Sequence, residues 1–127
     1  MKFPAAVYLN SKLGKFEYAP YPYGPAGGTA ITTTQIKARV VYSIDNGKGV
    51  LVNGDSKPND SGYIDKYPLY NVGHWIVARG YSYSGDRILM VDPAHSTQVS
   101  WGSNIQPYYV LGLANLTGFA RTKGIMY

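Results

Sequence analysis

Two side chains in this sequence stand at a spacing that can do proton-transfer chemistry, His74 and Asp92. Each sits at the end of an apolar run, residues 74–81 and 87–91, and the runs are joined by the polar segment Ser82, Tyr83, Ser84, Gly85 and Asp86. That pattern predicts a β-hairpin. With a loop of Tyr83, Ser84 and Gly85, the glycine taking the left-handed position, Ser82 pairs with Asp86 and Ile76 falls opposite Asp92. Cross-strand partners share a sheet face, as do residues two apart along one strand. His74 and Asp92 are therefore expected as diagonal neighbours on one face, about 7 to 8 Å apart at their α-carbons. A two-residue loop would put them on opposite faces. An aspartate that accepts the ring N–H of a histidine fixes its tautomer and supports its protonated form, the orienting role in a nucleophile, base and orienter triad. The same residues admit a structural reading, in which Asp92 caps the turn begun by Pro93 and His74 is a half-buried strand-end histidine.

The elements that must position this pair are marked along the chain. Residues 4–14 suit a short helix, with Pro4 setting its first turn and Gly14 its left-handed cap, and a strand at 16–18 is expected next. Residues 19–29 carry three prolines and three glycines, which excludes a central strand or a helix. Thr32 and Gln35 form a capping box, opening a helix whose face of Ile36, Val40, Val41 and Ile44 should lie on a sheet before Asn46 and Gly47 end it. Val50, Leu51 and Val52 read as a short strand, and residues 54–70 as a polar loop long enough to bind or cover something. A short strand is expected near 98–101. Leu113, Leu116, Phe119 and Ala120 fall at helical spacing up to Gly124, and residues 125–127 read as a closing edge strand. No internal repeat or boundary is visible, so residues 1–127 are expected to form a single α+β domain.

Composition removes several classes of function. The chain has 127 residues, 45% hydrophobic and only 15% charged, which excludes a disordered segment. The 13 tyrosines, 15 glycines and 8 prolines favour short strands and turns over a helical bundle. With no cysteine there is no disulfide, no thiolate metal site and no thiol nucleophile in these residues. The formal charge of +5 is scattered from Lys2 to Lys123 without a stripe, so no nucleic-acid partner is expected. No apolar run is long enough for a membrane span, and the residues after Met1 are too short an apolar run for a signal peptide. His74, His95 and Asp92 lack ligand spacing, and no metal or other cofactor is expected. Ser43, Ser82 and Ser84 have no strained elbow to present a hydroxyl to His74. Tyr21, Tyr23, Tyr63, Tyr67, Tyr70 and Trp75 are candidate binding residues, because aromatic rings offer large contact area with few rotors to immobilise.

The stretch Gly-His-Trp-Ile-Val-Ala-Arg-Gly-Tyr at 73–81, then Ser-Gly-Asp at 84–86 and Ile-Leu-Met-Val-Asp-Pro-Ala at 88–94, resembles the histidine-strand and aspartate-turn block of papain-like cysteine peptidases. The likeness is to the bacteriocin-processing type and its secreted bacterial relatives. Residues 43–52 resemble the segment leading into that family's sheet, except that Gly49 stands where many members have proline, and residues 109–127 resemble its closing helix and strand. The likeness runs from Val7 onward. It implies a papain-like fold, a twisted antiparallel sheet with two or three helices, in which His74 is general base and Asp92 its orienter. It also implies a peptide or protein substrate and an extracellular location. The departure is the absent cysteine and oxyanion glutamine; Gln35, Gln98 and Gln106 are not placed to serve. Two functions remain open. One is the histidine- and aspartate-bearing portion of a cysteine peptidase, inactive until a cysteine-bearing segment or chain complements it, its docking face apolar and exposed. The other is a non-catalytic binding or self-assembling module using the tyrosine-rich loops.

Overall fold

A computed structural model describes residues 4–15, 17–21, 30–121 and 123–127. Helix α1 covers Pro4–Leu13, and Gly14 follows with a φ of 69°, the left-handed cap that glycine adopts without a Cβ penalty. The chain then enters the short strand β1, Pro20–Tyr21. The strand expected at 16–18 is not found at 17 and 18; Phe16 and residues 22–29, with Tyr23, lie outside the described residues. Helix α2, Thr33–Asp45, begins at Thr32, whose hydroxyl accepts the Gln35 N–H while the Gln35 side chain accepts the Thr32 N–H. Ile36 and Val40 are its fully buried apolar face.

Six further elements complete the fold: β2 (Val50–Ser56), β3 (Val72–Ser82), β4 (Arg87–Val91) and β5 (Tyr108–Gly112), then helix α3 (Leu113–Ala120), with strand β6 (Gly124–Met126) closing the chain. The strands form one antiparallel six-stranded sheet in the order β1-β6-β2-β3-β4-β5. Helices and sheet together make the expected α+β, papain-like arrangement. Alternation along β2 buries Val50 and Val52, and β3 and β4 add Ile76, Ala78, Ile88 and Met90 to the same core, closed by Ile36, Leu116 and Phe119 from the helices. The other face carries Leu51, Val77, Leu89 and Val91, half-buried, with Trp75, Tyr108 and Val110 exposed.

Three sequence expectations change. Residues 98–101 form turns, and the missing strand is β5, whose alternating Tyr109 and Leu111 face the core. Strand β6 is interior, because β1 pairs along its outer side. The α3 helix stops at Ala120, with Gly124 opening β6 at a φ of 107°.

Glycine explains how α3 reaches the loop at 57–71. A Cβ on Gly118 would strike the Ser61 hydroxyl and the Gly62 backbone, and a Cβ on Gly62 would strike the Gly118 and Phe119 backbone. Helix and loop touch main chain to main chain, and Asn115 Nδ2 donates to the carbonyls of Ser61 (2.6 Å) and Tyr63 (2.9 Å) across that contact. The loop is thereby fixed to the fold.

Candidate active site

The hairpin reaches the expected face relation by a different route. Its loop is one residue longer than predicted, with Ser82 paired to Arg87, and Tyr83, Ser84 and Gly85 all at positive φ. That extra residue would turn His74 and Asp92 to opposite faces. A bulge between Ala78 and Gly80 reverses the shift, so that Ala78 pairs with Met90 and Val77 with Val91. Continuing that register sets Ile76 across from Asp92, the relation read from the sequence.

His74 Nε2 lies 3.0 Å from Asp92 Oδ1. Asp92 is 2% exposed, and four donors converge on its carboxylate. Oδ1 takes His74 Nε2 and the Ala94 N–H (2.8 Å), and Oδ2 takes the hydroxyls of Tyr67 and Tyr109, the latter at 2.7 Å. Burial raises the Asp92 carboxyl, and the donors from His74, Tyr67, Tyr109 and Ala94 outweigh it, holding the group below the usual aspartate range. Burial first, and the adjacent carboxylate second, push the Tyr67 and Tyr109 phenols up, so both stay protonated donors. Asp92 is thus an anchored anion away from water. Oδ1 caps the turn through the Ala94 N–H and at the same time faces the imidazole.

The histidine is placed by what stands opposite it. Gly54 of β2 is its cross-strand partner, and a Cβ there would run into the Phe119 ring and carbonyl. Phe119 occupies the space above Gly54. On the other side the rings of Tyr67 and Trp101 lie with centroids 6.1 and 6.4 Å from the imidazole, Trp101 edge-on. The His74 side chain stays 22% exposed, and among the described residues no hydrogen bond engages its Nδ1. With Nε2 as donor to Asp92, Nδ1 carries the lone pair and is the nitrogen open to a proton from outside.

Tyr67, a candidate binding residue in the sequence, is buried, part of the carboxylate cluster, and delivered inward by the pinned loop. Tyr63 is half-buried and donates to the Tyr67 carbonyl at 2.8 Å. Tyr21 stacks on the Arg39 guanidinium, 3.4 Å from its centroid, far along the sheet in β1. Tyr70 and Trp75 are exposed, Trp75 on the sheet face opposite His74. Tyr109 and Trp101 were not singled out. Tyr109 was legible once β5 is a strand, because it pairs with Met90, two residues from Asp92 and on its face. His95 is tied to the Ile105 carbonyl through Nδ1 at 2.6 Å, and no cluster of metal-binding side chains occurs among the described residues.

The family model described as the Peptidase_C39 like family matches residues 8–110. The chain belongs to the Peptidase_C39 like family. No curated protein and no solved structure matches it. The family match spans the hairpin, Asp92 and the tyrosine-bearing loop and ends inside β5, so α3 and β6 lie beyond it. This Peptidase_C39 like domain has no cysteine in its sequence, and no helix among the described residues is long and apolar enough to cross a membrane.

Proposed function

We propose that this chain supplies the base and orienter of a thiol-peptidase site, His74 and Asp92, and that the nucleophilic cysteine comes from a segment or companion chain beyond these 127 residues. The observation that carries the reading is the 3.0 Å contact from His74 Nε2 to an aspartate held by three further donors, with Nδ1 engaged by no hydrogen bond among the described residues. In the completed site, Nδ1 takes the thiol proton as the sulfur attacks the scissile carbonyl, and the imidazolium returns it to the leaving amine. A water, deprotonated at the same nitrogen, then hydrolyses the thioester and restores the thiol. Asp92 keeps the ring in the orientation that aims Nδ1 and counters the charge that appears on it. Among the described residues one ring nitrogen of His74 has a partner, which leaves the other available to a thiol.

The test is peptide mapping of every segment that travels with the protein from its natural source, followed by thiol alkylation and a peptide-cleavage assay. A cysteine-bearing segment is expected, its thiol reacting quickly near neutral pH, with His74→Ala slowing cleavage about 100-fold or more while the fold persists. Recovery of this chain with no cysteine-bearing segment, and no cleavage, refutes the proposal.

A further inference from the structure

Strand β5 is an edge of the sheet, and among the described residues no strand pairs along its free side. The Asp92 N–H donates to the Pro107 carbonyl (3.0 Å) and the Leu113 N–H to the Asp86 carbonyl (2.9 Å), which sets the phase of the β4–β5 ladder. In that phase Tyr109 and Leu111 turn their main-chain groups to β4. The N–H and C=O of Tyr108 and Val110 and the N–H of Gly112 point away from the sheet, and no main-chain hydrogen bond among the described residues beyond the ladder engages them. Edge strands are normally protected by charge, proline, bulges or brevity. The opposite edge, β1, is two residues long and begins with proline. Strand β5 is five residues without charge or proline, with Tyr108 62% and Val110 55% exposed.

A cleft of about 250 Å³ opens along this edge, walled by Ile64 to Lys66 and by Ile105 and Gln106, with Tyr109 and Leu111 of β5 at its base. Whole small-molecule ligands occupy about 300–1,000 Å³, so the cleft suits one or two side chains of a longer ligand. Positive charges predominate around it, with Asp65 the one carboxylate in its lining. Lys66 lines the cleft, and its nearest carboxylate is the neighbouring Asp65 at 3.8 Å. Arg79 lies over the Tyr108 ring at 5.1 Å, Arg87 pairs with Gly112 across the ladder, and among the described residues neither arginine has an ion-pair partner.

The geometry points to β5 as a docking strand for an extended acidic peptide, which adds to the sheet through Tyr108, Val110 and Gly112 and sets an apolar side chain into the cleft beside Lys66. Main-chain pairing supplies affinity in such an arrangement, and the pocket and charges supply selectivity. A second copy of β5 fits less well, since it is uncharged and would bring the same cations together. The site requires no chemistry at His74, so it stands apart from the peptidase proposal.

The test uses the whole chain with two synthetic peptides of alternating valine and threonine, one flanked by glutamates and one by lysines, read by amide hydrogen exchange and fluorescence anisotropy. The glutamate peptide is expected to bind about tenfold more tightly than the lysine peptide, from a few surface charge contacts. It is also expected to slow exchange at the Tyr108, Val110 and Gly112 amides. Val110→Pro removes only an outward N–H and leaves the β4 ladder intact, so it should abolish binding in a folded protein. Should that variant unfold, Lys66→Glu combined with Arg79→Glu should reverse the peptide preference. Equal binding of the two peptides, or no protection at those amides, overturns the assignment. So does a peptide-free dimer in sedimentation that protects the same amides, which would give the edge to a second copy.

Discussion

Replacing Asp92 with asparagine preserves its shape and tests what the carboxylate does. Four donors reach its two oxygens, from His74, Ala94, Tyr67 and Tyr109. An asparagine carbonyl can accept from two of them, and its amide is itself a donor facing the rest. Two buried donors without acceptors, at about 1–3 kcal/mol each, put the cost at about 2–6 kcal/mol. That is a large share of the ~5–15 kcal/mol by which a domain is stable. Urea unfolding at neutral pH should show the midpoint falling with an unchanged slope. The effect has a definite pH dependence. Burial raises the Asp92 carboxyl and its hydrogen bonds overcome that, so in the folded protein it titrates below its unfolded value. As pH falls, the unfolded chain binds the proton first. The stabilisation is therefore complete above the unfolded value, about 4, and is lost as pH drops through the folded one. Asparagine has no such dependence, so the gap between wild type and Asp92→Asn should narrow below about pH 4. Other carboxylates held below their ordinary range, Glu17 and Asp60, are common to both proteins and cancel in the difference. A cost under about 1 kcal/mol at neutral pH, or a gap that does not narrow in acid, would refute the account of Asp92 as an anchored anion.

Tyr67→Phe and Tyr109→Phe each remove a hydroxyl donor to the same oxygen and should cost about 1.5–3 kcal/mol, with the Asp92 carboxyl moving up in a carbon-13 NMR titration. His74→Ala should cost only about 1 kcal/mol in urea unfolding, because the partly exposed position lets water replace the lost donor. Gly54→Ala should cost about 1–3 kcal/mol through collision with Phe119, and thermal unfolding of the double variant with Phe119→Leu should recover part of the loss.

The parts of this fold legible in the sequence are those set by local chemistry. The Thr32 and Gln35 capping box, the Gly14 cap and the Ile36 and Val40 stripe all occur as read, because each depends on residues within a turn or two of helix. The hairpin shows how far that reach extends. Its face relation was right, yet the loop was a residue longer than read and a bulge near Arg79 restored the phase. Nothing within the loop announces that compensation. Strand β5 was missed because its five residues run straight into a helix, so only pairing with β4 identifies them. The same gap hid Tyr109. Tyr67 looked like a surface aromatic because its inward direction comes from the close contact of Gly62 with Gly118, a tertiary event.

The carboxylate cluster asks more of the fold than a turn cap does. Capping the Asp92 turn needs only the Ala94 N–H, and an exposed aspartate could do it at no desolvation cost. Here instead the loop at 57–71 and strand β5, remote from each other in sequence, each send a tyrosine hydroxyl to Oδ2. An isolated carboxylate buried this far would take up a proton, and these donors are what allow it to remain an anion there. An anion in a water-poor setting acts on its neighbour more strongly than one in solvent, and its geometry is set in advance. Oδ2 is consumed by the anchors, leaving Oδ1 for the imidazole, and the edge of Trp101 and the Tyr67 ring narrow the freedom of the histidine to one side. The outcome is a ring held by one nitrogen, with no hydrogen bond to the other among the described residues, which is the arrangement an oriented general base requires.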